Sequence, residues 1–151
     1  MVSRYEEFTA MISGIERMIQ KIERDEMEKL GYKGAYAQYL VAMRRYPEGL
    51  TAAQLCEICD RDKAAVSRVT GELEARGLVI KECGASYRAR LTLSEEGQRL
   101  AEFVSRKAQA AVDAGGYGLS AEERRVYYVA LERIARNLEI ISRDGIPDER
   151  K

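Results

Sequence analysis

The sequence contains no histidine and no tryptophan, and only two prolines and three cysteines, among its 151 residues. The absence of histidine excludes a Ser–His or Cys–His catalytic pair and any zinc site that uses imidazole. No other pairing of a nucleophile with a base is visible in the sequence. We therefore expect neither an enzyme nor a protein with a bound metal or cofactor.

Long hydrophobic runs are also missing, so the sequence predicts no membrane span, and the first residues, MVSRYEE, have no signal-peptide character. Three cysteines give no basis for a paired disulfide framework, which favours a reducing compartment. We expect a cytoplasmic protein without membrane contact. Its length predicts a single domain over residues 1–151.

Charge is balanced over the whole chain, with 25 basic and 25 acidic residues. Between Arg61 and Arg90, however, seven basic residues outnumber four acidic ones. A local surplus of three positive charges in a neutral chain fits a specific, salt-sensitive DNA contact better than non-specific coating of nucleic acid.

A helix predicted over Ala64–Arg76 is the centre of the pattern. Asp62 is a good N-cap, because its carboxylate can accept hydrogen bonds from the free N–H groups of the first turn. The core stripe recurs with helical spacing at Val66, Val69 and Leu73. The opposite stripe is small and carries one cation: Ala64, Ser67, Arg68, Gly71 and Ala75.

Such an outer face lets a helix backbone lie close to another surface, as a helix in the DNA major groove must. Gly71 supports this interpretation, because a mid-helix glycine costs about 1 kcal/mol relative to alanine. A short preceding helix, capped by Thr51, is expected to carry Leu55 and Ile58. Together the two predict a helix-turn-helix whose second helix recognises DNA.

A β-ribbon is expected to follow the recognition helix. Gly77 ends that helix, and strands are predicted over Leu78–Ile80 and Tyr87–Leu93, joined by a turn that contains glycine. Arg88 and Arg90 share the exposed face of the second strand, where a wing contacts phosphates or the minor groove.

Long amphipathic helices are expected near both ends of the chain. Their apolar residues step alternately by three and four, as in a coiled coil. The first seam is Tyr5, Phe8, Ile12, Ile15, Ile19 and Ile22, and the second is Tyr127, Leu131, Ile134, Leu138 and Ile141. The seams either pack within one monomer or intertwine with a second copy. We favour a homodimer, which would present two recognition helices about 34 Å apart.

The order of helix, helix, short helix, recognition helix, wing and two long helices resembles the MarR family of transcription regulators. The matching motifs are Leu50-Thr51, Leu55, Asp62-Lys63, Val66-Ser67-Arg68, Leu73–Val79 and Leu91–Gly97. The resemblance implies a mainly α winged helix-turn-helix with about six helices and a two-stranded β-wing. It implies a dimerisation lobe from residues 1–32 and 117–147, a winged helix-turn-helix over 33–97, and a long linking helix over 94–115.

The resemblance also implies a homodimeric repressor that binds a pseudo-palindromic operator in double-stranded DNA. Such proteins are often released from DNA by a small aromatic or anionic compound. The wing departs from the family pattern, which places Asp-x-Arg at the tip, because this chain has Gly84-Ala85-Ser86-Tyr87-Arg88 there. In this chain, either Arg88 or Arg90 would take the role of the arginine at the family's wing tip.

We expect the DNA contacts to come from the recognition helix and the wing. Ser67 and Arg68 would read base edges, and a guanine suits Arg68 best. Ala64 and Ala65 would touch thymine methyl groups. The expected DNA-binding residues are Lys63, Ala64, Ala65, Ser67, Arg68, Gly71, Arg88 and Arg90.

Three residues of the second helix, Tyr36, Tyr39 and Met43, are either core residues or the lining of a cleft for an aromatic ligand. A winged helix can also serve as a protein–protein interaction module, or as an antirepressor without its own operator. Both alternatives predict no salt-dependent DNA binding by the isolated protein.

The cysteines also allow more than one interpretation. Cys56 and Cys59 have Cys-x-x-Cys spacing, and Cys83 lies in the wing. They are core residues, redox sensors or, least expected, metal ligands, because thiols three apart on one helix are poorly placed for an unstrained disulfide.

Overall fold

A computed structural model describes residues 3–82 and 88–147 of the chain. The elements described are α1 (Arg4–Lys29), α2 (Tyr36–Arg44), α3 (Ala52–Cys59), α4 (Lys63–Ala75), β1 (Val79–Lys81), β2 (Leu91–Leu93), α5 (Glu95–Gly115) and α6 (Ala121–Asp144). This is the mainly α fold with a two-stranded wing that the sequence predicts. Within the described ranges, none of the helices has the length and apolarity needed to cross a membrane.

The chain forms two compact units, one ending at Val112 and the other beginning at Asp113. The first unit contains the hydrophobic core, to which the end of α1, helices α2 to α5 and both strands contribute. Its largest fully buried side chains are Tyr36, Tyr39, Met27, Leu40, Met43, Leu55, Leu73, Leu78, Val66 and Val104. The second unit contains α6.

Helix starts follow the local sequence closely. Ser3, Thr51 and Ser120 each form a capping box, in which the hydroxyl accepts from the backbone N–H three residues on and that residue's side chain accepts from the cap. Asp62 caps α4 by accepting from the Ala65 N–H at 2.7 Å. The caps predicted at Thr51 and Asp62 are thus confirmed.

The two strands pair antiparallel, with Val79 opposite Leu93 and Lys81 opposite Leu91. The prediction of a second strand over Tyr87–Leu93 was too long, because of its described residues only Leu91–Leu93 are strand. Beyond Leu91, the backbone N–H of Arg90 donates to the Glu82 carboxylate at 3.2 Å, so a side chain takes the place of a ladder carbonyl.

Helix α3 packs on the core through one face. Leu55 is fully buried, but the side chain of Ile58 is 42 % exposed. The face of α3 that packs on the core carries Ala52, Leu55, Cys56 and Cys59. Ile58 lies about 110° away from the centre of that face at 100° per residue, so its side chain points away from the core.

The apolar seam of α1 is only partly covered within this chain. Tyr5 is 73 % exposed, and Ile12 and Ile15 are each more than a third exposed, whereas Phe8, Ile19 and Ile22 are half-buried. In the second unit, none of the residues of α6 is buried. Both predicted seams therefore keep apolar side chains on the surface of the chain.

Helix α5 meets the wing at very short range. The Ser94 hydroxyl donates to the Gly77 carbonyl at 2.6 Å and accepts from the Gly97 N–H at 3.0 Å, which fixes the first turn of α5 on the end of α4. A Cβ at Gly97 would overlap the Leu78 carbonyl oxygen and lie 3.0 Å from its carbonyl carbon. Only glycine leaves room for this contact.

We predict that Gly97→Ala destabilises the protein by roughly 1–3 kcal/mol, since backbone must move to relieve the overlap. Thermal unfolding measures the effect. Gly115→Ala, in the same helix, is the matched control, because a Cβ there would meet no atom within 4 Å. Equal stability of the two variants would contradict the close contact.

Candidate nucleic-acid interface

Helix α4 presents two faces of opposite character. Val66, Val69 and Leu73 are buried, and the Thr70 hydroxyl donates to the Val66 carbonyl at 2.7 Å, so the inner stripe is closed to solvent. The outer stripe is exposed as predicted, at Ala64, Ser67, Arg68, Gly71 and Ala75. A Cβ added at Gly71 would meet no atom within 4 Å.

The seven basic residues between positions 61 and 90 are all exposed: Arg61, Lys63, Arg68, Arg76, Lys81, Arg88 and Arg90. Three of the four acids in the same stretch are used as internal acceptors. Asp62 caps α4, Glu82 accepts from the Arg90 N–H, and Glu72 accepts from Lys33 and Tyr36. The exposed cations can therefore dominate the electrostatic potential of this surface.

The described part of the wing is anchored at its base. Leu50 and Leu91 exchange backbone hydrogen bonds of 2.8 and 3.0 Å, and the Arg90 guanidinium donates to the Gly49 carbonyl at 3.0 Å. Gly49 has a φ of +93° and lies close to Leu91 and Thr92. Arg90 thus binds the segment that precedes α3, a contact that its position in the sequence does not indicate.

Arg88 is exposed in a turn outside the strand. The wing tip predicted at Gly84–Tyr87, like Cys83, lies outside the described residues. Among the wing residues expected to contact DNA, Arg88 therefore lies at the distal side and Arg90 at the anchored base.

The three residues considered for ligand binding lie in the hydrophobic core. Tyr36, Tyr39 and Met43 are at most 2 % exposed. The Tyr36 hydroxyl donates to Glu72 at 2.7 Å, and burial is the main reason that the pKa of Tyr36 is raised. Their packing is that of the core alternative, and their role toward a ligand stays a prediction.

The cysteines of α3 pack against the same core. Cys56 and Cys59 are half-buried, and the Cys59 thiol lies 3.9 Å from the Gln38 carbonyl oxygen. Burial raises the pKa of Cys59, which opposes formation of a reactive thiolate. In the part of the chain that the structure describes, no cluster of three metal-ligating side chains occurs.

One polar cluster was not foreseen from the sequence. Glu72 of α4 accepts from Lys33 at 2.9 Å and from Tyr36 at 2.7 Å. The hydrogen bond from Lys33, followed by that from Tyr36, lowers the pKa of Glu72. Arg76 lies over the rings of Tyr32 and Tyr36, at 5.4 and 6.0 Å from the ring centroids. We call these five residues the clasp.

Helix α4, the preceding helix α3 and the anchored β-ribbon together define a winged helix-turn-helix fold. Residues 30–86 match the model of the MarR family, a stretch that includes α2, α3 and α4. No curated protein sequence matches the chain.

Solved structures of MarR-family regulators share the fold. One from Listeria monocytogenes, complexed with 26mer DNA, is 21 % identical with a TM-score of 0.71, covering 98 % of this chain and 99 % of its own. One from Silicibacter pomeroyi is 22 % identical with a TM-score of 0.72, covering 88 % and 90 %. MepR, a transcription regulator of the Staphylococcus aureus multidrug efflux pump MepA, is 18 % identical with a TM-score of 0.64, covering 87 % and 98 %.

Residues 30–86 are therefore similar in sequence to the MarR family, and the chain shares the fold of solved MarR-family structures. The resemblance predicted from the sequence is confirmed.

We predict that Gly71→Ala separates stability from DNA binding. It should stabilise the protein by up to about 1 kcal/mol, because alanine is the better helix former and has room. It should weaken DNA binding by about 1–3 kcal/mol, because the added methyl group crowds a close surface. Thermal unfolding and fluorescence anisotropy measure the two effects. Gly115→Ala is the control, and unchanged DNA binding by Gly71→Ala would argue against a closely apposed α4.

Proposed function

We propose that this protein is a homodimeric, cytoplasmic repressor that binds a pseudo-palindromic operator through α4 and the wing. The observation that carries the proposal is the exposed, small outer face of α4, which includes Arg68, in a stretch whose basic residues are all exposed. A helix with this face can enter the major groove, and Arg68 can donate two hydrogen bonds to guanine. The remaining proposed contacts are Lys63, Ala64, Ala65, Ser67, Gly71, Arg88 and Arg90.

The homodimer is supported by the partly exposed apolar seam of α1. Exposed aliphatic residues at heptad spacing are typical of a helix that packs against another helix. A two-fold dimer would present two copies of α4 to successive major grooves. The terminal segments 1–32 and 117–147 are accordingly proposed as the dimerisation lobe, with 94–115 as the linking helix and 33–97 as the DNA-binding part.

Release by a small aromatic or anionic ligand is proposed at α2. Tyr36, Tyr39 and Met43 lie in the core beside α4, so a ligand reaching them would have to part α2 from its neighbours. Such a change would alter the support of α4 and weaken DNA binding. Regulation of an efflux pump by the relative MepR supports a role in gene regulation rather than catalysis.

The test begins with selection of duplexes by the purified protein from a random-sequence library. Anisotropy then compares the selected duplex with a scrambled one at two salt concentrations. We expect preferential binding that weakens steeply with salt, because phosphate contacts release counterions. Dimerisation without salt-dependent DNA binding would instead favour a protein–protein interaction module or an antirepressor.

We predict that Arg68→Ala and Arg88→Ala have different consequences for DNA binding. Arg68→Ala should lower the preference for the selected duplex by about 1–3 kcal/mol, since a base contact is lost. Arg88→Ala should weaken both duplexes alike and reduce the salt slope by about one unit. Anisotropy titrations measure both. If Arg68→Ala kept the full preference, α4 would not be the recognition helix.

We predict that Ile15→Glu shifts the protein from dimer to monomer, because a charge in the seam of α1 cannot be buried without a partner. Sedimentation velocity at matched concentrations measures the change. Arg17→Glu is the control, since it also introduces an acid but lies about 200° around the helix from Ile15. Dimers of equal strength in both variants would exclude this seam from the interface.

A further inference from the structure

Two residues of the clasp bind the carboxylate of Glu72. On α4, Glu72 is the acidic residue nearest in sequence to Arg68, which is proposed to read a base. Arg68 and Glu72 are four residues apart, the spacing at which arginine and glutamate pair on a helix surface. In the structure, Glu72 Oε2 instead accepts from Lys33 Nζ at 2.9 Å and from the Tyr36 hydroxyl at 2.7 Å. The positive charge of Arg68 still acts on Glu72, because it contributes to lowering the pKa of that carboxyl.

The donors of the clasp are held in place independently of α4. The Tyr32 N–H donates to the Met27 carbonyl at 3.2 Å, and the Tyr36 N–H donates to the Lys33 carbonyl at 3.0 Å. The segment that carries both donors is thus bonded to the end of α1 and to the start of α2. Tyr36 is 2 % exposed, so its ring has a fixed position in the core.

Arg76, the C-cap of α4, is the fifth residue of the clasp and follows Glu72 by one turn. Its guanidinium lies over the rings of Tyr32 and Tyr36. Hydrogen bonds are directional, whereas apolar contacts are not. The clasp therefore fixes the direction of the Glu72 carboxylate, which the apolar packing of α4 alone would leave free to turn.

We propose that Lys33 and Tyr36 are positioning residues for DNA recognition, which keep the Glu72 carboxylate away from Arg68 and leave the Arg68 guanidinium available to a base. Without them, Glu72 turns toward Arg68 and competes with DNA for its donors. This inference rests on the proposed role of Arg68 in reading the operator.

The experiment compares four proteins on one fluorescein-labelled duplex that the wild-type protein has selected from a random-sequence library, and on its scrambled counterpart. They are wild type, the release variant Lys33→Gln/Tyr36→Phe, the control Lys29→Gln/Tyr46→Phe, and the rescue variant Lys33→Gln/Tyr36→Phe/Glu72→Gln. The control also removes one lysine charge and one tyrosine hydroxyl, at exposed positions, but leaves both hydrogen bonds to Glu72. The ratio of the two affinities cancels non-specific attraction.

We expect the release variant to lose about tenfold in preference, the lower part of the range for one bidentate base contact. The control should stay within about twofold of wild type. The rescue variant should regain most of the preference, because glutamine is uncharged and competes weakly for Arg68. A role of the clasp in stability alone predicts no such regain, since removing Glu72 would only delete another partner.

Equal preference in the release and control variants would overturn the proposal, as would a rescue variant no better than the release variant. If thermal unfolding shows that Tyr36→Phe prevents folding, Lys33→Gln alone and Lys33→Gln/Glu72→Gln provide the same comparison at the exposed edge of the clasp. A wild-type protein that selects no duplex would overturn the proposed function, and this inference with it. Selection by wild type with no rescue would overturn the inference alone.

Discussion

The burial of the inner stripe of α4 is the constraint on which the rest of the structure depends. Val66 and Leu73 have no exposed surface, so the rotation of the helix about its axis is fixed by the core. Since successive residues turn by about 100°, this rotation directs Ser67 and Arg68 outward. The surface proposed to face DNA is therefore a consequence of core packing. On that proposal, a change that loosens this stripe would weaken DNA binding without altering any residue that contacts DNA.

The wing depends on the same core through backbone contacts at its base. Leu91 pairs with Leu50 as well as with Lys81, so the ribbon is joined to the segment leading into α3. The Arg90 guanidinium adds a bond to Gly49 in that segment. Because α3 and the ribbon share this anchor, the base of the wing is held directly to the helix-turn-helix.

The sequence alone predicted those structural features that are determined by residues close together in the chain. Capping side chains act over three residues and the stripe of α4 repeats every turn, so both could be read from spacing. The hydrogen bonds of Arg90 to Gly49 and of Tyr36 to Glu72 join residues 41 and 36 positions apart. Such contacts depend on how helices meet. Spacing therefore predicted the exposed outer face of α4 but neither the anchor of the wing nor the clasp.

The electrostatics of the interface explain how a chain with no net charge can present a basic surface. A sum of formal charges over Arg61–Arg90 assumes that every acidic residue cancels one basic residue in the surface potential. In the structure Asp62 accepts from a helix N-terminus and Glu72 from an ammonium group and a hydroxyl. A carboxylate bound to such donors is partly compensated at short range and is fixed in direction. The field that DNA meets is set by where each acid points, so the same composition with unpaired acids would make a weaker and less selective surface.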